Sequence, residues 1–178
     1  MIALANPASQ TKRELQKRSA EEMVVFSLLG ESYALPVQQV REVIRLQAIR
    51  PIPKSAAFVE GVICLRGRVI AVLDLRKRLD LPGGEHTGAT RILIVRMPRS
   101  LVGLIVDSVQ EVLTIPFEAV RQTPLVEAAD ANAPFSRGIA TIGSRLILLL
   151  DLRLLFSAQE TRQLERVGAE LQKGNADV

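Results

Sequence analysis

The feature that most constrains this chain is an internal repeat. Residues 61–76 align without gaps on residues 138–153, an offset of 77 positions (138 − 61). Gly61/Gly138, Arg68/Arg145, Ile70/Ile147, Leu73/Leu150 and Asp74-Leu75-Arg76/Asp151-Leu152-Arg153 are identical pairs. Upstream, Leu35, Val37, Val40, Glu42 and Val43 fall on Leu104, Val106, Val109, Glu111 and Val112 at an offset of 69 (104 − 35). The longer connection over residues 116–136 accounts for the difference of 8 (77 − 69). One copy is too small to bury much apolar surface by itself, so the two copies must pack on one another.

Each copy reads as five short strands. In the first, residues 23–29 form an apolar run, and Gly30-Glu31-Ser32 supply a hairpin turn. Tyr33, Leu35 and Val37 alternate with Ala34 and Pro36, the period-two pattern of a half-buried strand. Residues 40–46 continue as a third strand until Pro51 and Pro53 interrupt pairing. Residues 62–65 and 69–73 follow, hinged at Arg66-Gly67, and the Gly-rich loop over residues 82–88 is the internal boundary. The second series runs over residues 91–97, 101–106, 109–115, 139–142 and 146–150, with a polar stretch over 123–136.

Beyond the repeat, Ser157 and Glu160 fit a capping box, and Leu164, Val167 and Leu171 fall on one helical face. Gly168 weakens that helix by about 1 kcal/mol relative to Ala. Five short twisted strands close most economically into a small barrel, which removes exposed edges. The expected fold is all-β: two pseudo-symmetric five-stranded barrels packed together around a groove, with short helical turns and a C-terminal helix. Residues 1–21 read as a flexible arm, 22–156 as the duplicated domain, and 157–178 as the helix and tail. The copies span about residues 22–82 and 89–156, and exchange of strands between them is open.

Composition narrows the chemistry. The 178 residues include no Trp, one Tyr and five Phe, so the core is built from Val, Ile and Leu. That scarcity argues against single-stranded nucleic-acid or sugar binding, which rest on aromatic platforms. The net charge of +4 is spread along the chain. Its densest basic patch, Lys12, Arg13, Lys17 and Arg18, lies in a polar tail and reads as solvated. A lone Cys64 excludes an intrachain disulfide and a thiolate metal cage, which fits a reducing compartment. The start of the chain lacks a signal-peptide pattern, and the longest apolar runs fall far short of the ~18–20 residues that span a bilayer. A soluble cytoplasmic protein with no membrane insertion is expected.

Candidate catalytic groups each have a plainer reading. Asp74 and Asp151 occupy equivalent places, but each ends an apolar run before a short helical turn, the position of an N-cap. A hydrolase built on this pair requires the carboxylates to converge in a cleft. Cys64 falls in an apolar strand and is expected to be a buried thiol. His86, the only histidine, sits in a Gly-rich stretch with no triad spacing. No phosphate loop, metal-ligand spacing or cofactor motif is present in the sequence. Glu42 and Glu111 recur within Val-x-Glu-Val and read equally as a solvated strand face or a partner contact. Arg66, displayed beside Gly67 after an apolar strand, has the setting of a protein–protein hot spot.

Collected in order, these residues resemble the CheW family of chemotaxis coupling proteins. The resemblance covers residues 22–156. It rests on Phe26-Ser27-Leu28, the run from Gly30 to Val37, Val40-Arg41-Glu42-Val43, Ile52-Pro53, the run from Phe58 to Gly67, and Val72 to Arg76. In the second half it rests on Val102 to Val109 and Leu148 to Leu152. The resemblance implies two SH3-like barrels and a non-enzymatic adaptor without cofactor or metal. The implied partners are a methyl-accepting chemoreceptor hairpin tip and the regulatory domain of a CheA-type histidine kinase, with no nucleic acid. The implied location is the cytoplasm, at membrane-associated receptor arrays. Carried over residue by residue, Gly61, Leu65 and Arg66 fall in the receptor-binding region, with Val40, Glu42 and Val109 lining or flanking the groove. Self-association, or assembly with paralogous adaptors in rings, stays open. Cys64, Ala56 and Ala71 depart from the family's usual Asn, Pro and Pro, and suggest a diverged member. The alternative reading is a small-ligand or RNA-binding β-barrel outside chemosensing.

Overall fold

The computed structural model describes residues 19–121 and 135–176. The strands are β1 (Ala20–Leu28), β2 (Glu31–Pro36), β3 (Val40–Arg45), β4 (Val59–Leu65), β5 (Arg68–Asp74), β6 (Arg91–Arg96), β7 (Leu101–Val106), β8 (Ser108–Pro116), β9 (Val120–Arg121), β10 (Ser136–Ile142) and β11 (Arg145–Leu150). The helices are α1 (Leu75–Arg78), α2 (Leu152–Leu155) and α3 (Ala158–Ala176). The predicted strands are all present, within a few residues at their ends. Residues 20 and 21, assigned to the arm by sequence, belong to β1 and pair with β8. Arm residues 1–18 and most of the polar stretch over 123–136 lie outside the described residues.

The strands form two sheets, ordered β8-β1-β2-β11-β10-β9 and β3-β6-β7-β5-β4. The first therefore takes hairpin β1–β2 from the first copy and β8 to β11 from the second. The second sheet takes hairpin β6–β7 from the second copy and β3, β4 and β5 from the first. The exchange is reciprocal, and its two parallel joints, β2 with β11 and β7 with β5, are equivalent under the repeat. The loop over residues 82–88 thus links two elements of one sheet. Both sheets curl into barrels. In the first, β9 follows β8 and pairs with β10. In the second, the chain beyond β3 returns to β4, where Arg50 and Val62 exchange two backbone hydrogen bonds of 2.9 Å.

Bulges recur with the repeat. Arg41 is the extra residue in β3 against β6, and its counterpart Gln110 is the extra residue in β8 against β1. Glu60 and Arg137 are the extra residues in β4 and β10. The duplicated glycines explain themselves there. Gly61 (φ +146°) and Gly138 (φ +149°) adopt backbone conformations that side chains disfavour, and a Cβ on either would strike the carbonyl of Arg50 or Arg121.

Three apolar clusters hold the molecule. Met23, Val25, Ala34, Ile115, Ala140, Ile147 and Leu149 fill the first barrel. Ile63, Ile70, Val72, Ile92, Ile94 and Ile105 fill the second. The alternate residues of the same strands, among them Val24, Phe26, Leu28, Leu73, Leu93, Val95 and Leu104, meet in the seam between the barrels. The half-buried reading of residues 33–37 is therefore corrected: Tyr33, Ala34 and Leu35 are all buried. Ala34 faces the first barrel's core, while Tyr33 and Leu35 face the seam. A strand with apolar matter on both sides has no solvated face. The center of the seam is packed rather than open, so the expected groove can lie only along its margin.

Candidate functional site

Of the predicted site residues, Glu42, Gly61, Leu65 and Arg66 lie on β3, β4 and the turn after β4 in the second barrel, while Val40 and Val109 pack on the seam cluster from different sheets. β4 and β5 are joined by the two-residue turn Arg66-Gly67, with Leu65 opposite Arg68. Both turn residues have positive φ, +50° and +77°, the requirement of a type I′ hairpin turn. Arg66 thus takes a conformation that costs a non-glycine residue about 1 kcal/mol. Its guanidinium reaches across to β3 and donates two hydrogen bonds to the Glu42 carboxylate, at 2.7 and 2.9 Å. β3 and β4 are the two ends of the five-stranded sheet, so this fork-on-fork pair joins the barrel's edges. The Arg66 side chain is 71% exposed.

Val40 and Val109 are repeat counterparts, and both are half-buried against the seam cluster. The bulge at Arg41 lets β3 serve two environments: Val40 packs toward the seam and Ile44 toward the second barrel's core. Leu65 is half-buried against that same core. Gly61 is buried, and it shapes the wall through the Arg50–Val62 bridge rather than offering a side chain. Glu111 pairs with Arg145, which also donates to Gln110 at 2.8 Å. Each barrel therefore has an Arg–Glu pair between its third-strand counterpart and a hairpin, from different hairpin positions. Glu111 stays on a solvated face within its pair, whereas Glu42 is the less exposed member of its own.

Asp74 and Asp151, equivalent under the repeat, are both committed to helix ends. Asp74 accepts from the amides of Arg76 at 2.9 Å and Lys77 at 3.4 Å, capping α1. Asp151 accepts from the Arg153 amide at 2.9 Å, capping α2. Burial by itself pushes the Asp151 carboxyl up, but the hydrogen bonds and charge of Arg153 outweigh it and hold the group below its ordinary value. The Cys64 expectation is corrected. The thiol is exposed, because the β4–β5 hairpin projects past the end of β7 and alternation turns Ile63 inward and Cys64 outward. His86 is exposed in the 82–88 loop. Among the described residues, no group of three or more His, Cys, Asp or Glu could hold a metal, and no helix is long and apolar enough to cross a membrane.

Two clusters that sequence reasoning missed fix the barrels and α3. Arg76 donates to Asp107 at 2.7 and 2.5 Å, while Asp107 accepts from the Leu29 amide at 2.8 Å, so one carboxylate ties α1 to the β1–β2 turn. Arg78 lies 4.9, 5.2 and 5.8 Å from the rings of Phe58, Phe135 and Phe156. It also donates to the Leu155 carbonyl at 2.5 Å and to Glu160 at 2.9 Å. No local pattern announces either cluster, because its members are up to 82 residues apart.

The predicted capping box is present: the Glu160 amide donates to Ser157 Oγ at 3.1 Å, and the Ser157 amide donates to the Glu160 carboxylate at 3.0 Å. Beyond it, α3 runs along β5. Leu164 is buried, and Val167 packs on the seam cluster. Gln172 accepts from the Val69 amide at 2.8 Å and donates to the Gly67 carbonyl at 2.9 Å. The helix ends beside the turn that carries Arg66.

Comparison with known proteins agrees with this geometry. The family model of the CheW-like domain matches residues 22–160. A probable chemotaxis protein CheW of Rhizobium etli is 34% identical over 140 residues, covering 79% of this chain and 90% of the relative. The chemotaxis protein CheW of Thermotoga maritima is 36% identical over 131 residues, covering 74% and 84%. The crystal structure of the scaffolding protein TtCheW from Thermoanaerobacter tengcongensis superposes with a TM-score of 0.72 at 34% identity, covering 79% of this chain and 95% of that one. With its duplicated barrels and near full-length relatives, this chain belongs to the CheW-like family of chemotaxis scaffold proteins.

Proposed function

We propose that this chemotaxis scaffold protein is a non-enzymatic adaptor. It couples the cytoplasmic hairpin tip of a methyl-accepting chemoreceptor to the regulatory domain of a CheA-type histidine kinase, at membrane-associated receptor arrays. The observation that carries the reading is the display of Arg66. Its backbone is held at positive φ in a tight turn and its guanidinium is oriented by Glu42, yet its side chain stays 71% exposed. An exposed ion pair contributes little to folding, about 0–1 kcal/mol, so a strained, oriented arginine is better explained by what it presents outward. Val40 and Val109 supply apolar surface at the seam margin, Leu65 flanks the turn that carries Arg66, and Gly61 lies toward the base of the same hairpin. Apolar contact then contributes affinity, while Arg66 and Glu42 set register and partner choice. Relative reorientation of the two bound partners is sufficient to shift the kinase between states.

The polyanion-binding alternative draws less support. Arg66, Arg76, Lys77, Arg78, Arg137, Arg145 and Arg153 are each paired with a carboxylate, which leaves them less free to meet phosphate. The test is titration of a receptor cytoplasmic hairpin fragment and a CheA-type regulatory domain against the wild type, Arg66→Glu and Val40→Asp. Both variants are expected to bind the receptor fragment at least tenfold more weakly, a loss of about 1.4 kcal/mol, with unchanged circular dichroism. Equal receptor binding by all three proteins refutes the site. Failure of the wild type to bind either partner refutes the function.

A further inference from the structure

We infer that Gln172 of α3 is a positioning residue for partner binding: its carboxamide completes the backbone pairing of the β4–β5 hairpin and so holds the Arg66-Gly67 turn in the form that presents the Arg66 guanidinium. The partner rests on the receptor reading above.

The hairpin needs support because its tip outruns the sheet. On one edge, β7 pairs with β5 only from Ala71 to Asp74. On the other, the last backbone partner of β4 is Arg50, at Val62. Val62 and Ala71 are cross-strand partners, so both edges lose their neighbors at the same rung and residues 63–70 stand past it. Ile63, Leu65 and Ile70 still pack inward on the second barrel's core. Among the described residues, the edges beyond that rung meet only side chains: Gln47 donates to the Cys64 carbonyl at 3.4 Å, and Gln172 takes the opposite edge. A two-stranded ribbon is marginal by itself, and this one also carries Arg66 at positive φ.

Gln172 suits the place by its chemistry. A strand offers the carbonyl of one residue and the amide two residues on along the same edge. Gly67 and Val69 are such a pair, and a carboxamide carries the matching donor and acceptor. It accepts from the Val69 amide at 2.8 Å and donates to the Gly67 carbonyl at 2.9 Å, standing in for the rung that β7 does not reach. α3 delivers it from a fixed base. Leu164, Gly168 and Gln172 fall at i, i+4 and i+8 on one helical face, and Leu164 is buried. Gly168 faces β5, since a Cβ placed on it would lie 3.9 Å from the Val69 carbonyl oxygen.

The repeat supplies an internal control. The first barrel's counterpart of Arg66-Gly67 is Gly143-Ser144. Glycine takes positive φ there, +61°, without strain, and among the described residues no side chain bonds to the backbone of that turn. The brace stands where an arginine holds the strained position, and it comes from beyond residue 160, where the family match ends. Its two hydrogen bonds are exposed, so water replaces them in its absence and overall stability changes little. What the brace restricts is the sampling of the tip. A presenting form reduced to between about a third and a tenth of the population lowers the apparent affinity about three- to tenfold.

The test uses the full-length chain as wild type, Gln172→Ala, Arg66→Ala and the double variant. Alanine preserves the helix. The readouts are amide exchange at Val69, thermal unfolding and calorimetric titration of a receptor hairpin fragment. Gln172→Ala is expected to exchange Val69 faster, to keep the wild-type Tm, and to bind the fragment about three- to tenfold more weakly. In the Arg66→Ala background the same substitution should change binding by less than about twofold, because the brace acts through Arg66. An equal loss in both backgrounds overturns the inference, since Gln172 then acts independently of Arg66. Unchanged Val69 exchange in Gln172→Ala overturns the brace itself. If Arg66→Ala weakens binding but Gln172→Ala binds like the wild type, the receptor reading stands and this inference falls. If the wild type does not bind the fragment, the receptor reading falls and takes this role with it.

Discussion

Replacing Gly61 by alanine tests the duplicated bulge directly. A Cβ at this position would lie 2.1 Å from the Arg50 carbonyl oxygen and 2.6 Å from its carbon. Those atoms are backbone and cannot swing aside, so the Arg50–Val62 bridge must open. Two hydrogen bonds of 2.9 Å are then lost, at about 1 kcal/mol net each. The backbone, at φ +146°, adds about 1–3 kcal/mol of strain for a residue with a side chain. The expected destabilization is about 3–5 kcal/mol, which for a chain of this size lowers Tm by roughly 10 °C. Gly138→Ala should cost less, because its Cβ would meet the Arg121 carbonyl oxygen at 2.7 Å. Gly67→Ala, at φ +77° with nothing within 4 Å of the added carbon, should cost only about 1 kcal/mol. Urea unfolding followed by far-ultraviolet circular dichroism, with a constant m-value, gives the three numbers. A Gly61→Ala protein as stable as Gly67→Ala would refute the reasoning, since the carbonyl contact and the more glycine-restricted backbone both set Gly61 apart.

Further outcomes follow from single contacts. Arg78→Ala should destabilize by about 2–3 kcal/mol, because three ring contacts and two hydrogen bonds disappear together. Arg78→Lys should not restore the loss in urea unfolding, since an ammonium cannot reproduce the planar fork. The folded-state pKa of Asp151 is depressed below 3.8, so its stabilization is present above that value and is lost as pH falls through the folded pKa. Asp151→Asn should remove that part of the acid dependence and cost about 1 kcal/mol at neutral pH, measured by denaturant titration at several pH values. Arg66→Glu should change stability by no more than about 1 kcal/mol, the range of an exposed pair, while abolishing receptor capture. A large loss of stability in that variant would make Arg66 a structural residue.

The repeat was legible from residue identity at fixed offsets, and the strands, the two Asp caps and the Ser157–Glu160 box were legible because each depends on neighbors a few residues away. Period-two alternation marks a strand, and a cap needs only the next turn. The candidate site was legible in part. Arg66-Gly67 is a turn signal, but its bond to Glu42 crosses from one end of a sheet to the other. Cys64 was misread for the same reason. An apolar run shows that a strand exists, not how far its hairpin outruns the neighboring strand.

By itself, the sequence determined that the chain is two copies of one β-unit whose apolar faces must meet. Side-chain periodicity and identity at fixed offsets are local properties of the chain. Tertiary structure alone decided that each barrel is assembled from both copies, that Tyr33, Ala34 and Leu35 are buried on both faces, and that α3 closes over the second barrel's hairpin. Backbone hydrogen bonds carry no residue identity, so a strand's pattern specifies which face is apolar but not which strand lies beside it.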